Sequence, residues 1–285
     1  MTDPDVARTP PTASGADRSL AGAAAQGTPD SRNGPQRDSV GPAAIGLAGV
    51  SKSYGRKRAV CDLSLQIPRG ELFAFLGPNG AGKTTTIKMI VGLLRPDAGR
   101  VWVCGHAVAS NGLAAKAMLA YVPDQPFLYE KLTGREFLHF VAEMYGLSVT
   151  QRERTLEHLI RRLDIGEFLD QLTEGYSHGM KQKVVLAAAL VHKPKVLVID
   201  EPMVGLDPRT IRAVKNLFVE HTREGGTVFM STHTLDIAEA VASRIGIIHE
   251  GRLIAIGTLE QLRAQAQHEH SLEEIFLQLT EVADV

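Results

Sequence analysis

The chain has 285 residues and a formal net charge of −1, with 44% hydrophobic and 22% charged residues, which is ordinary for a soluble globular protein. This near-neutral charge gives no global attraction to nucleic acid or anionic lipid, and the two cysteines, Cys61 and Cys104, lie too far apart to form a CxxC pair. No apolar run approaches the roughly 20 residues that are needed to span a bilayer.

The first 44 residues are predicted to form a disordered N-terminal tail. They hold six of the 14 prolines and no Phe, Tyr, Trp or Ile. Such a segment has too little apolar surface to offset the entropy that ordering would cost. One folded domain is therefore expected at 45–260, followed by a C-terminal helical tail at 261–285.

Strands and helices are predicted to alternate from Ile45 onward, which indicates an α/β fold. A helix is predicted over 84–94, and the segment 247–257 is predicted to be a hairpin that turns at Glu250-Gly251. Continuous apolar runs, typical of strands buried on both faces of a parallel sheet, occur at 71–77, 195–201, 226–233 and 244–250.

The strand pattern is absent between about 113 and 192. Helical periodicity is present there at 134–147, 151–165 and 179–191. We therefore predict a helical subdomain inserted into the α/β core. The charged residues of 151–162 follow helical spacing and are interpreted as a solvated face.

The segment GPNGAGKTT at 77–85 matches the phosphate-binding loop pattern G-x-x-x-x-G-K-[ST]. Its glycines let the backbone N–H groups face phosphate oxygens, and the helix that follows adds its positive N-terminal end. Lys83 supplies a charge to the β- and γ-phosphates, and Thr84 supplies a hydroxyl for Mg²⁺. The predicted nucleotide-binding residues of this loop are Gly77, Asn79, Gly80, Ala81, Gly82, Lys83, Thr84 and Thr85.

Two acids end the apolar run VLVIDEP at 196–202. Asp200 is placed to hold the Mg²⁺ site, directly or through water. Glu201 is placed to orient and deprotonate an attacking water. The phosphate-binding loop does not by itself separate ATPases from GTPases and kinases.

The segment YSHGMKQK at 176–183 precedes a helix that is apolar nearly all round and is therefore predicted to be buried. Ser177 is a natural N-cap for this helix, whose N-terminus forms a second anion site. Because the first loop already surrounds the phosphates from one side, this second site is expected to meet a nucleotide that another subunit holds.

From about Val50 to its C-terminus the chain resembles the ATP-binding subunit of an ABC transporter. YSHGMKQK is similar to the family signature, usually LSGGQ-like, and keeps Ser177 and Gly179, the two positions that touch phosphate in the family. His178 replaces the first glycine of that signature. The resemblance implies a P-loop NTPase core of RecA type, with an antiparallel β part and an inserted α-helical subdomain.

Three further residues are assigned by the same resemblance. Tyr54 matches the aromatic residue that stacks on adenine, and Asp207 lies in GLDP, which matches the family's D-loop. His233 in STH matches the switch histidine, whose implied role is to contact the γ-phosphate. Lys83, Glu201 and His233 are therefore the candidate catalytic residues.

One motif departs from the family pattern. The family usually shows Tyr-x-Pro-Gln before the helical subdomain, with the glutamine touching Mg²⁺. Here YVPDQP at 121–126 places Asp124 in register and Gln125 one residue later. Either side chain could serve as the ligand, and register favours Asp124.

The resemblance implies that two ATP-binding domains close head to tail on two molecules of ATP with Mg²⁺ and drive a separate transmembrane permease, with no nucleic-acid partner. This places the chain peripherally on the cytoplasmic face of the cell membrane. YSHGMKQK and the ending SLEEIFLQLT resemble ATPases of bacterial ABC-2 and antibiotic export, and about 25 residues follow the last strand, too few for an importer's extra domain. The alternative is a soluble ABC-type ATPase that acts on the ribosome or DNA, while a kinase or GTPase would not account for the signature.

Overall fold

The computed structural model describes residues 43–203, 205–265 and 272–283. The predicted N-terminal tail lies outside these residues up to position 42. Its last residue, Ala44, is fully buried, and its backbone pairs with the carbonyl oxygen of Ile67 and the amide of Cys104, each at 2.8 Å. Ala44 therefore lies directly before the first strand, which begins at Ile45, and its backbone is held against the neighbouring strands.

The first sheet has four antiparallel strands in the order β2-β1-β4-β5. Its strands are β1 Ile45–Tyr54, β2 Lys57–Ile67, β4 Ala98–Val103 and β5 His106–Ala107. Alternation of buried and exposed residues along β2 directs one face of this sheet into the core.

The second sheet has six strands in the order β10-β9-β3-β8-β7-β6. Its strands are β3 Leu72–Leu76, β6 Leu119–Val122, β7 Val196–Asp200, β8 Thr227–Thr232, β9 Arg244–His249 and β10 Arg252–Gly257. All these strands pair in parallel except β10, which forms the predicted hairpin with β9. Its turn residues Glu250 and Gly251 both have positive φ, as a tight hairpin turn requires.

Helices cover the sheets and form the inserted subdomain. They are α1 Lys83–Ile90, α2 Gly112–Met118, α3 Gly134–Met144, α4 Val149–Leu163, α5 His178–Leu190, α6 Pro208–Arg223, α7 Leu235–Val241, α8 Leu259–Gln265 and α9 Leu272–Ala283, with a 3-10 turn at Thr173–Gly175. Capping boxes begin α3 at Thr133 and α4 at Ser148, which satisfies amide groups that the first helical turn leaves free. Within the described residues, no helix combines the length and apolar composition that crossing a bilayer requires.

Two sequence predictions need correction. The stretch 113–192 is not free of strands, because β6 lies within it and pairs in parallel with β7. Four residues at a sheet edge are too short to show a distinct periodicity. The helix predicted over 84–94 ends at Ile90, because Gly92 adopts a left-handed φ of 71° that breaks the helical path.

The parallel strands determine where the chemistry lies. Strands β3, β8, β7 and β6 are neighbours in one sheet, so their carboxyl ends share one edge. The residues at or after these ends, at 77–85, 233, 200–201 and 124, therefore lie at the same edge, the usual ligand edge of an open α/β sheet.

Candidate nucleotide-binding site

The phosphate-binding loop connects β3 to α1, and Lys83, the first residue of α1, extends its side chain back to the start of the loop. The Lys83 ammonium donates to the carbonyl oxygens of Gly77 at 2.7 Å and Pro78 at 3.2 Å. Burial lowers the pKa of Lys83, and the carboxylates of Glu201 and Asp200 oppose that shift. A buried cation therefore lies over the loop, with its charge available to an anionic ligand.

Gly82 cannot be replaced without moving the loop. Its φ is 110°, and a Cβ atom there would lie 2.4 Å from the carbonyl oxygen of Ala59. Only glycine allows this backbone to pass so close to β2 and still begin α1 at the next residue.

Asp200 ends β7 in a buried position with one hydrogen bond and one free oxygen. Its Oδ1 accepts from the Ser231 hydroxyl, whereas its Oδ2 is buried and has no hydrogen-bond partner. Burial and the neighbouring carboxylates of Asp200 and Asp124 raise the pKa of Tyr121 to about 12. An unpaired, buried carboxylate oxygen needs a partner, and Mg²⁺ or its water ligand fits that need.

Glu201 lies between the two other candidate catalytic residues. Its Oε1 is 2.9 Å from Nδ1 of His233 and 3.9 Å from the Lys83 ammonium. Glu201 has a φ of 50°, a conformation that costs a non-glycine residue roughly 1–2 kcal/mol. The strained backbone directs the carboxylate into the group formed by Lys83 and His233 instead of along the strand.

Lys83, Asp200 and Glu201 line one pocket of about 360 Å³, whereas His233 contacts Glu201 but is not among the lining residues. Of the predicted residues it contains Tyr54, Asn79, Gly80, Gly82, Lys83, Thr84, Thr85, Asp124, Asp200 and Glu201. Gly77 and Ala81 belong to the loop but do not line the pocket. The lining also includes Lys57 and Ala59, which sequence analysis missed; the basic run after Tyr54 was the available signal for Lys57.

The pocket also distinguishes the two candidate ligands in the motif at 121–126, which departs from the family pattern. Asp124 lines it, whereas Gln125 is not among its lining residues. The Gln125 amide instead donates to Oδ1 of Asp124 at 2.8 Å.

Ser177, Gly179 and Asp207 lie at a different place, since none of them lines this pocket. Ser177 caps α5 by accepting from the Met180 amide, and Asp207 caps α6. Gly179 lies against the D-loop, since a Cβ atom added at Gly179 would be 3.7 Å from the carbonyl oxygen of Gly205.

His178, the residue that departs from the family signature, packs on the D-loop. A Cβ atom at Gly205 would lie 2.7 Å from Cδ2 of the His178 ring. The N-terminus of α5 and the D-loop thus form one surface, which is called the signature surface below.

Comparison with known proteins agrees with this geometry. The family described as "ABC transporter" matches residues 60–204, which is about half of the chain. The chain belongs to the ABC transporter family. It is an ATP-binding, ATP-hydrolysing subunit of that family, built on the P-loop NTPase fold.

Two relatives and one solved structure illustrate the similarity. The linearmycin resistance ATP-binding protein LnrL of Bacillus subtilis is 38% identical over 75% of this chain and 68% of its own length. The daunorubicin resistance ATP-binding protein DrrA3 of Streptomyces coeruleorubidus is 37% identical over 78% of this chain and 70% of its own length. A solved ATP-binding subunit of an ABC transporter is 37% identical with a TM-score of 0.79, and the match covers 83% of this chain and 99% of that one.

Proposed function

We propose that this ABC ATPase powers export of an antibiotic-like small molecule through a separate membrane subunit. The observation that carries the ATPase part of the proposal is the pocket that brings the phosphate-binding loop, Asp200 and Glu201 together. Export is inferred from the relatives, two of which are named for resistance to linearmycin and daunorubicin.

In this proposal the loop 77–85 and Lys83 hold the phosphates of ATP, and Tyr54 stacks on the adenine. The Thr84 hydroxyl, Asp200 and Asp124 would hold Mg²⁺, and the unpaired Oδ2 of Asp200 supports that role. When bound, Mg²⁺ neutralises charge on the β- and γ-phosphates.

Glu201 is proposed as the base that accepts a proton from the attacking water. The Lys83 ammonium lies 3.9 Å from this carboxylate, and the ring of His233 at 2.9 Å holds its orientation. His233 is half exposed, so its other face is free to contact the γ-phosphate. A base held in place in this way accelerates such a reaction by roughly 10²–10⁴-fold.

The signature surface supports a head-to-tail pair of ATP-binding chains, identical or different. Ser177 and Gly179 stand at a helix N-terminus, which attracts phosphate, yet they are not part of the pocket of their own chain. A second chain would supply the nucleotide that this surface meets, while Asp207 approaches the same nucleotide from the D-loop.

Proteins of this family work with membrane permease subunits, so the chain is proposed to lie peripherally on the cytoplasmic face of the cell membrane. Affinity purification from the native cell in a gentle detergent, followed by mass spectrometry, tests this. A polytopic membrane protein recovered in near-equal amount would support the transporter role. Recovery of ribosomal or DNA-associated proteins without a membrane protein would instead favour the soluble alternative.

We expect Asp124→Ala to weaken the Mg²⁺ dependence of ATP hydrolysis, because it removes a carboxylate from the pocket. The concentration of Mg²⁺ that gives half-maximal hydrolysis should rise roughly tenfold, the effect of losing one contact to a charged group. Titration of the steady-state rate with Mg²⁺ at fixed ATP measures this.

The adjacent residue is the matched control. Gln125→Ala should leave the Mg²⁺ titration within about twofold of the parent, because Gln125 does not line the pocket. If Gln125→Ala shifted the titration and Asp124→Ala did not, Gln125 would be the ligand and the proposed assignment would be wrong.

A cluster of exposed aromatic side chains follows Asp124 in the chain, and we propose that it contacts the membrane subunit. Tyr129 packs edge-on against Phe127 and against Phe140, with ring centroids 5.8 Å apart in both pairs. These three side chains are 72%, 50% and 40% exposed for Phe127, Tyr129 and Phe140, so they form an apolar surface of the kind that partners cover.

We expect the double variant Phe127→Ser/Phe140→Ser to recover about tenfold less membrane partner in the same purification, because aromatic residues carry much of the binding energy of interfaces. Its ATP binding should be unchanged. Leu93→Ser is the control, since Leu93 is 63% exposed elsewhere on the chain. If the double variant and Leu93→Ser recovered equal amounts of the membrane partner, the aromatic cluster would not be part of the interface.

A further inference from the structure

A second cleft, of about 540 Å³, lies away from the nucleotide pocket. It is bounded by α4 on one side and by α6 and the amino ends of β7 and β8 on the other. Its floor is apolar and consists of the buried residues Leu159, Leu190, Pro194 and Leu217. A concave apolar floor of this size suits a small organic molecule.

The rim of the cleft is cationic. Arg154, Lys193 and Lys195 line it and are exposed, and none of the three forms an ion pair among the described residues. Of the two carboxylates in the lining, Glu220 is already paired with Arg162 on α4, which leaves Glu224 as the opposing charge. The cleft therefore has an excess of positive charge above an apolar base.

His221 also belongs to the lining of the cleft. Its Nε2 is buried without a hydrogen-bond partner, and its ring lies against Gly226, where a Cβ atom would be 2.3 Å from Nε2. Burial lowers the pKa of His221, with Glu224 opposing and Lys195 adding to the shift. The ring is consequently neutral near pH 7 and adds no charge of its own to the cleft.

We propose that this cleft is a binding site for an amphiphilic organic anion, a carboxylate, sulfonate or phosphate carried on an apolar body. The apolar body would lie on the leucine floor, and the anionic group would face Arg154 and Lys193. Both features are needed, since exposed lysines alone attract any anion weakly and an apolar floor alone does not select charge.

Such a ligand would touch both sides of the joint between the helical subdomain and the core. Arg154 belongs to α4, whereas Lys193 and Lys195 belong to the segment that leads into β7. The Arg162–Glu220 pair already joins α4 to α6 at this joint. An occupied cleft would therefore favour one arrangement of the subdomain against the core, without contact with ATP.

The test uses the fluorescent dye 1-anilinonaphthalene-8-sulfonate, titrated into the full chain with ADP and Mg²⁺ present to fill the nucleotide pocket. We expect saturable binding to the parent and about tenfold weaker binding to Arg154→Glu/Lys193→Glu, because two exposed charge contacts are lost. The double variant Lys88→Glu/Arg95→Glu makes the same charge change on two exposed residues outside the cleft and should bind the dye like the parent.

The neutral analogue N-phenyl-1-naphthylamine separates charge from apolar contact. It should bind the parent at least about fivefold more weakly than the dye and should not distinguish the parent from the double variant. Equal binding of the dye by the parent and the double variant, or binding of the neutral analogue as tight as that of the dye, would overturn the proposal. Thermal melts of each variant verify that the fold is retained.

Discussion

Glu201→Gln is expected to bind ATP with unchanged affinity and to hydrolyse it roughly 10²–10⁴-fold more slowly than the parent. Glutamine keeps the size and the hydrogen-bonding oxygen of the side chain but cannot accept a proton at neutral pH. Loss of the negative charge beside Lys83 also removes repulsion of the phosphates, so binding does not weaken. The variant should accumulate as an ATP-bound dimer, because the step that opens the pair is blocked.

Three measurements on this variant are needed. Phosphate release gives the rate, equilibrium titration gives ATP affinity, and size-exclusion chromatography with ATP and Mg²⁺ gives the dimer. Glu167→Gln is the matched control, since Glu167 is exposed and does not line the pocket. Hydrolysis by Glu201→Gln at the parent rate would show that another group is the base.

Lys83→Ala has the second large expected effect, a loss of nucleotide affinity of roughly 10- to 100-fold. A hydrogen bond to a charged group contributes about 1.5–3 kcal/mol, and the buried Lys83 ammonium is positioned to make such bonds to phosphate. Removing the ammonium also frees the carbonyl oxygens of Gly77 and Pro78, which it now bridges. The loop therefore loses both a positive charge and two internal hydrogen bonds.

Equilibrium titration with ATP measures this loss, and a thermal melt separates it from unfolding. Lys88→Ala, on the same helix but exposed and outside the pocket, removes the same charge and should keep the parent affinity. An ATP titration of Lys83→Ala that overlays the parent would contradict the assigned role.

The motifs of this chain are contiguous in sequence. The local structure of each motif therefore depends mainly on its own residues and could be predicted from them. GPNGAGKTT combines the glycines, the lysine and the helix start within nine residues, so its loop and its ligand class follow from local geometry. Asp200 and Glu201 end a continuous apolar run, which is why their position at a strand end could be predicted. The hairpin at Glu250-Gly251 is equally local and was predicted correctly.

Features that depend on contacts between distant segments did not follow from the sequence. Strand β6 exists because its backbone pairs with β7, more than 70 residues further along the chain. The same pairing carries Asp124 into the pocket beside Asp200 and leaves Gln125 outside it. Lys57 lines the pocket because the first sheet passes over the phosphate-binding loop.

The separation of the pocket from the signature surface is also tertiary in origin. Local patterns define Ser177 as a helix cap, but only the packing of α5 against the D-loop shows that Ser177 lies away from its own pocket. The cationic cleft likewise combines residues from α4, α6 and the start of β7. Backbone preference and periodicity act within a few residues and specify loops, caps and chemistry, whereas strand pairing and packing join remote residues and specify which of those groups meet.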